Sequence, residues 1–119
     1  MPPGIILEDY ERLPRDKMRK ITIAFDVDGT LRSNKTDTTV EPNRRIVELF
    51  NILATFKNVQ LYVWSGGGAQ YAAQFARTYG LPVSNSKCIS KFGAPRMDIC
   101  IDDIQETDLA TFNLICREK

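Results

Sequence analysis

The amino-acid sequence predicts an α/β fold with a mainly parallel central sheet and helices on its two faces. Three short, largely apolar runs at residues 21–25, 59–64 and 97–101 are typical of strands that are buried on both faces. Segments with helical spacing of apolar side chains follow the first two runs. This alternation of strands and helices indicates βαβ units, whose strands lie parallel in one sheet.

Two helices are predicted between and after the first strands. The first is expected to begin at Pro42, whose fixed φ suits the first helical turn, and to end near residue 56. The second is expected over residues 69–79, because Gly80 and Pro82 mark a helix end. Each helix would link two neighbouring parallel strands.

The remaining segments are assigned from their composition. Residues 32–41 are polar and are predicted to form a loop, whereas residues 109–112 are expected to form a short helix and residues 113–116 an edge strand. Residues 1–20 contain three prolines and mixed charge, which favours an extended N-terminal segment. We therefore expect one domain over residues 21–119 with an extension before it.

Composition limits the possible chemistry and partners. The net charge of +1 gives no field that would attract a polyanion or an anionic membrane, and no run approaches the roughly 20 apolar residues of a membrane span. Three cysteines without close spacing predict reduced thiols rather than disulfides or a zinc site, so we expect a cytoplasmic protein. Because histidine is absent, any catalysis must depend on carboxylates, lysine, serine or threonine.

Acidic or hydroxyl side chains directly follow each of the three predicted strands. Asp26 follows the first strand, Ser65 the second, and the pair Asp102 and Asp103 the third. The carboxyl ends of parallel strands share one edge of the sheet, so these side chains should converge there. The four aspartates of this group, which includes Asp28, would concentrate negative charge, and a hard cation can neutralise it. The sequence therefore predicts a Mg²⁺ site made of oxygen ligands.

These motifs resemble those of the haloacid dehalogenase (HAD) superfamily. The resemblance comprises Asp26-Val27-Asp28-Gly29-Thr30, Ser65, a downstream lysine, and Asp102-Asp103, in this order. It covers roughly residues 21–103 and implies a three-layer Rossmann-like HAD core. Residues 31–41 and 80–90 are too short for the cap domain that many relatives insert, so the implied active site is open. An open site suits a phosphorylated protein or a nucleic-acid end, although a second subunit of a homo-oligomer could also supply a lid.

The resemblance implies a magnesium-dependent phosphohydrolase with a carboxylate nucleophile. Asp26 would attack phosphorus and form an aspartyl-phosphate. Asp28 would protonate the leaving group, later activate water, and contribute its backbone carbonyl to the metal. The second acid favours phosphoryl transfer over dehalogenation. Gly29 and Thr30 would support the turn that follows the strand.

The resemblance also assigns the groups that bind phosphate. Ser65 and the backbone N–H of Gly66 would donate hydrogen bonds to phosphoryl oxygens, next to a helix N-terminus. Lys91 is the expected cation beside the phosphoryl group, with Lys87 as the alternative.

The pair of acids after the third strand would complete the metal site. Asp103 aligns with the direct metal ligand of the family. Asp102 would act on the metal through water, or would orient Lys91.

The resemblance is also compatible with nucleotides and small phosphorylated molecules as substrates.

Two other functions remain open. A phospho-accepting receiver domain also clusters acids and a lysine, but its acid pair follows the first strand, whereas here the pair comes last. A HAD-fold binding module with weak or no catalysis is the second alternative. Tyr71, Phe75 and Tyr79 lie on one helical stripe, for which core packing is favoured over stacking on nucleic-acid bases.

Overall fold

The computed structural model describes residues 19–33, 41–104 and 109–117. These residues form seven strands and two α-helices. In chain order they are β1 (Ile21–Asp26), β2 (Arg32–Ser33), β3 (Glu41–Pro42), α1 (Arg44–Leu53), β4 (Val59–Ser65), α2 (Ala69–Thr78), β5 (Cys88–Ser90), β6 (Met97–Asp102) and β7 (Ala110–Ile115). A single 3-10 turn, Asn85–Lys87, precedes β5. The chain is thus an α/β protein over the described residues.

Five of the strands form one parallel sheet in the order β5-β4-β1-β6-β7. The chain first builds outward from β1 to β4 and β5, and then returns to the other side of β1 to add β6 and β7. The carboxyl ends of β1 and β6 therefore border the point where the direction of sheet growth reverses. Ligand crevices in open α/β sheets lie at such a point.

Both helices pack against the same face of this sheet. Phe25 and Val63 point to this face, where Phe50 of α1 meets Phe25 edge-on with ring centroids 5.0 Å apart. Phe75 of α2 joins the same core. Burial of these aromatic and branched side chains stabilises the packing of α1 and α2 on the sheet.

The opposite face of the sheet is covered differently. Ala24, Trp64 and Cys100 are fully buried there, and Ala94 packs against them. Ala94 belongs to the connection from β5 to β6, residues 91–96, which is too short to include a helix while also crossing the sheet. Within the described residues, the helices expected on both faces are therefore found on one face only.

Sequence patterns predicted the three central strands to within one residue at each end, but three local expectations were wrong. Pro42 does not start α1; it pairs with Arg32 in the small β2–β3 sheet, and the helix begins two residues later. Residues 109–112 are not helical, because the backbone from Ala110 onward pairs with β6. Residues 32–41, expected to form a loop, begin with strand β2 and end with the first residue of strand β3.

The start of β1 is fixed by contacts with β6. Asp98 accepts two hydrogen bonds from the guanidinium of Arg19, at 2.8 and 2.9 Å, and one from the backbone N–H of Thr22. The rest of the expected N-terminal extension, residues 1–18, lies outside the described residues. Among the described helices, none has the length and apolar character needed to cross a membrane.

Candidate active site

A tight turn after β1 presents Asp26 and Asp28 at the carboxyl edge of the sheet. The backbone carbonyl of Asp26 accepts a hydrogen bond from Leu31, and Gly29 adopts a φ of 83°, which a glycine tolerates without strain. The buried Thr30 hydroxyl donates a long hydrogen bond, 3.5 Å, to Asp26 Oδ2. Gly29 and Thr30 thus shape the turn that carries both acids.

Lys91 lies between the acids at the ends of β1 and β6. Its Nζ is 2.9 Å from Asp26 Oδ1 and 2.6 Å from Asp102 Oδ2. The contact with Asp102 is an ion pair whose angles are unfavourable for a hydrogen bond. Asp26 and Lys91 are each 5% exposed and Asp102 is 1% exposed. Lys91 reaches this position because its backbone N–H donates to the carbonyl of Ser65, which extends the pairing of β5 with β4 by one residue.

The environment changes the proton affinity of these groups. Burial raises the pKa of Asp26 from 3.8 to about 7, although the neighbouring Lys91 works in the opposite direction. Burial alone would lower the pKa of Lys91, but its contacts with Asp102 and Asp26 outweigh burial and raise it. Lys91 is therefore charged at neutral pH, and the charge of Asp26 depends on what else occupies the site.

A third carboxylate completes an acidic cluster. One oxygen from each of Asp26, Asp102 and Asp103 lies within 4.8 Å of the others. With every group ionised, three carboxylates and the Lys91 ammonium carry a net charge of −2, which one divalent cation would balance. Burial, and after it the neighbouring Asp102, also raises the pKa of Asp103.

The backbone of the turn offers a further oxygen. Val27 accepts hydrogen bonds from Thr30 and Arg32, and Asp26 accepts one from Leu31, whereas no N–H of the described residues donates to the carbonyl of Asp28. Mg²⁺ is bound in proteins through oxygen ligands, usually one or two carboxylates together with waters and phosphate oxygens. The residues present therefore fit this ion.

Asp28 is held by two side chains that sequence analysis did not place at the site. The hydroxyl of Tyr71 donates to Asp28 Oδ1 at 2.6 Å, and Arg32 Nη1 lies 3.5 Å from the same oxygen. Burial and this hydrogen bond raise the pKa of Tyr71 to about 12, so the phenol stays protonated as a donor. Of the aromatic stripe on α2, Phe75 and Tyr79 pack together with centroids 4.8 Å apart, as favoured, but Tyr71 lies at the acidic site.

The glycine turn after β4 provides hydrogen-bond donors. The Ser65 hydroxyl oxygen accepts a hydrogen bond from the Gly67 N–H at 3.0 Å, so this buried side chain braces the turn. Within the described part of the chain, no acceptor is bonded to the proton of this hydroxyl. Among the described residues, no acceptor is bonded to the N–H of Gly66. Gly68 precedes α2 with a φ of 109°, a conformation that favours glycine. Ser65 and Gly66 thus lie next to the N-terminus of α2.

The alternative lysine lies elsewhere. Lys87 Nζ is 5.1 Å from the centre of the Tyr62 ring. It also lines a cavity of about 170 Å³ with Val59 and Gln60, the first residues of β4. This is the amino edge of the sheet, opposite the acids, so Lys91 and not Lys87 is the lysine at the cluster.

Comparisons of this chain with protein-family models, with curated protein sequences and with solved structures find no match.

The raised pKa of Asp26 predicts a pH-dependent stability in metal-free buffer. The folded state holds a proton on Asp26 up to about pH 7, whereas the unfolded chain releases it near pH 3.8. The stability that this group contributes is therefore fully present below the pKa of the unfolded chain and is lost as pH rises through the pKa of the folded state. The unfolding free energy changes by up to about 1.4 kcal/mol per pH unit between them. Asp26→Asn removes this contribution.

Urea unfolding in EDTA at pH 5, 6, 7 and 8 tests this. As pH rises, the unfolding free energy of the wild type should fall relative to that of the Asp26→Asn protein. Asp98→Asn, at the other end of β6, is the control and should show no comparable shift over this range. If the difference in unfolding free energy between wild type and Asp26→Asn stays constant from pH 5 to 8, the pKa of Asp26 is not raised.

Proposed function

We propose that this protein is a magnesium-dependent phosphohydrolase of the HAD type that acts through an aspartyl-phosphate on Asp26. The observation that carries the proposal is the buried Lys91 ammonium between Asp26 and Asp102, with Asp103 beside them, at the point where the sheet changes direction of growth. The finer fold assignment, a capless HAD core, belongs to the same proposal.

Asp26 is the nucleophile in this mechanism. One carboxylate oxygen forms a bond to phosphorus as the bond from phosphorus to the leaving oxygen breaks, which leaves a mixed anhydride on Asp26. The attack requires an ionised carboxylate, and Lys91 favours that form through its 2.9 Å contact. Lys91 then also offsets the charge that develops on the phosphoryl oxygens.

Asp28 moves the protons. It gives a proton to the leaving oxygen in the first step and accepts one from the attacking water in the second, which releases phosphate and restores Asp26. Its side chain is exposed, as this role requires, and Tyr71 and Arg32 fix its position. Ser65 and the Gly66 N–H bind phosphoryl oxygens during both steps.

Mg²⁺ would be held by Asp26, Asp103 and the Asp28 carbonyl, and by Asp102 through water. When bound, it supplies positive charge that keeps Asp26 ionised and offsets the charge of the phosphoryl group. Both oxygens of Asp102 already have partners, because Oδ1 accepts the Ile104 N–H at 3.1 Å and Oδ2 contacts Lys91. Asp102 is therefore assigned to orienting Lys91 and to a contact with the ion through water only, and Asp103 to direct contact with the ion.

The proposal includes a phosphorylated substrate and an open site. Residues 85–90, part of one segment where a cap could be inserted, form the 3-10 turn and β5 of the core. The alternative to this enzyme is a HAD-fold binding module with weak or no catalysis. Contact of Lys91 with both Asp26 and Asp102 supports catalysis instead.

The division of roles between the two adjacent acids gives a metal-binding test. Asp103→Asn should weaken Mg²⁺ binding by at least about tenfold, because a direct carboxylate ligand is lost. Asp102→Asn should weaken it less but should lower turnover, because Lys91 loses one of its two anchors. Isothermal titration with MgCl₂ measures the first effect and phosphate release the second. Equal losses of Mg²⁺ affinity in the two variants would contradict the assignment.

Phosphate release tests the proposed activity. A panel of aryl phosphates, nucleotides, 3′-phosphorylated oligonucleotides and phosphopeptides should include at least one substrate that is hydrolysed with Mg²⁺ and not with EDTA. Asp26→Asn should lower this rate by at least about a thousandfold, because the nucleophile is removed.

The matched control is Asp98→Asn, which changes an aspartate on β6 at the opposite edge of the sheet and should retain activity. Each protein is first checked for folding by circular dichroism. Absence of release from every substrate by folded wild type, or equal activity of Asp26→Asn, would overturn the proposed function.

A further inference from the structure

An exposed aromatic side chain directly follows the buried lysine. Phe92 is 69% exposed, the largest exposed fraction among the large apolar side chains of the described residues. A single exposed apolar residue is ordinary on a protein surface, so exposure alone says little. The informative feature is its position, because Lys91 turns inward to the acids and Phe92 turns outward at the same edge of the sheet.

The ring of Phe92 lies against bare backbone. A methyl group at Gly66 would lie 3.3 Å from Phe92 Cε2, so the edge of the ring packs directly against this residue. Gly66 is also the residue whose N–H has no acceptor among the described residues. An apolar surface therefore adjoins a hydrogen-bond donor that suits a phosphoryl oxygen.

A second ring lies on the neighbouring glycine. A methyl group at Gly67 would be 3.4 Å from Tyr71 Cδ2, and the Tyr71 hydroxyl donates to Asp28. Two aromatic rings thus flank the Gly66–Gly67 turn, one fixed by its bond to Asp28 and one exposed and without such a bond. Tyr71 has a role in the site, whereas nothing in the reaction described above uses Phe92.

We propose that Phe92 is a binding surface for a planar ring carried by the group that is esterified to the phosphate. The substrate class would then be phosphate esters of aromatic alcohols or of nucleosides. A phosphoryl group at the Gly66 N–H and Lys91 would bring its ester group next to Phe92, and a planar ring gains more from stacking on phenylalanine than an alkyl chain does. This inference rests on the proposed function only in placing the phosphoryl group at that end of the sheet.

Equilibrium binding of phosphonates tests the inference without requiring turnover. Phenylphosphonate and propylphosphonate carry the same charged group, and neither can release it as phosphate. With Mg²⁺ present, wild type should bind phenylphosphonate about tenfold more tightly than propylphosphonate. Phe92→Ala should reduce this ratio to about one, and Phe92→Tyr should retain it.

Phe112→Ala is the matched control. Phe112 is 64% exposed, nearly as much as Phe92, but it lies on β7 at the opposite side of the sheet, so its removal should not alter the ratio. Both substitutions affect exposed side chains, so both proteins should fold. A wild-type ratio near one, or a ratio that survives Phe92→Ala, would overturn the inference for phenyl esters.

A second pair of ligands distinguishes the two sources of the ring. Adenosine 5′-monophosphate and ribose 5-phosphate are compared by their affinity for the Asp26→Asn protein, with and without Phe92→Ala. If Phe92 makes the protein prefer adenosine 5′-monophosphate to ribose 5-phosphate, the ring of the substrate belongs to a nucleoside. If the Phe92-dependent preference is found only with the phosphonates, the substrate is an aryl ester. No preference in either pair overturns the proposal.

The two proposals fail in different ways. If no substrate is hydrolysed but the Phe92-dependent preference is measured, the ring-binding surface stands and the phosphohydrolase does not. If phosphate is released from esters without regard to the ring and no binding preference is found, the enzyme stands and the inference about Phe92 is wrong.

Discussion

The buried ion pairs of Lys91 are the interaction on which the rest of the site depends. Asp26 and Asp102 lie at the ends of adjacent strands and are almost fully buried, which would be strongly unfavourable for two carboxylates without a counter-charge. Lys91 contacts both, and removal of one partner from such a pair typically costs about 3–5 kcal/mol. The ammonium comes from the end of edge strand β5, so it links three strands that are separated in sequence.

Lysine alone leaves this region short of positive charge. The ionised cluster carries a net charge of −2, burial raises the pKa of Asp26 to about 7, and no N–H of the described residues donates to the Asp28 carbonyl. These three features support the proposal that a cation binds here. A site built for stability alone would pair each carboxylate locally or replace the ions with apolar side chains. The retained charge deficit is thus consistent with a site that gains its counter-charge together with a phosphorylated ligand.

Sequence patterns predicted the central strands and the acids because both depend on local signals. The strands ending at Asp26, Ser65 and Asp102 are largely apolar runs that stop at a polar residue. The strand Cys88–Ser90 was missed because its three residues carry no such pattern, and its pairing comes from β4. Tyr71 was missed for a related reason: its bond to Asp28 spans 43 positions, and helical spacing alone assigned it to the core.

The central claim is that Asp26 becomes phosphorylated, and chemical trapping of that species tests it most directly. The Asp28→Asn protein is mixed with p-nitrophenyl phosphate and Mg²⁺, since this leaving group needs no proton while hydrolysis of the intermediate is slowed. Rapid acid quench, borohydride reduction and peptide mass spectrometry then locate the modified residue. The account predicts homoserine at position 26, formed by reduction of an aspartyl-phosphate. Modification of another residue, or release of p-nitrophenol with no acyl phosphate, would contradict it.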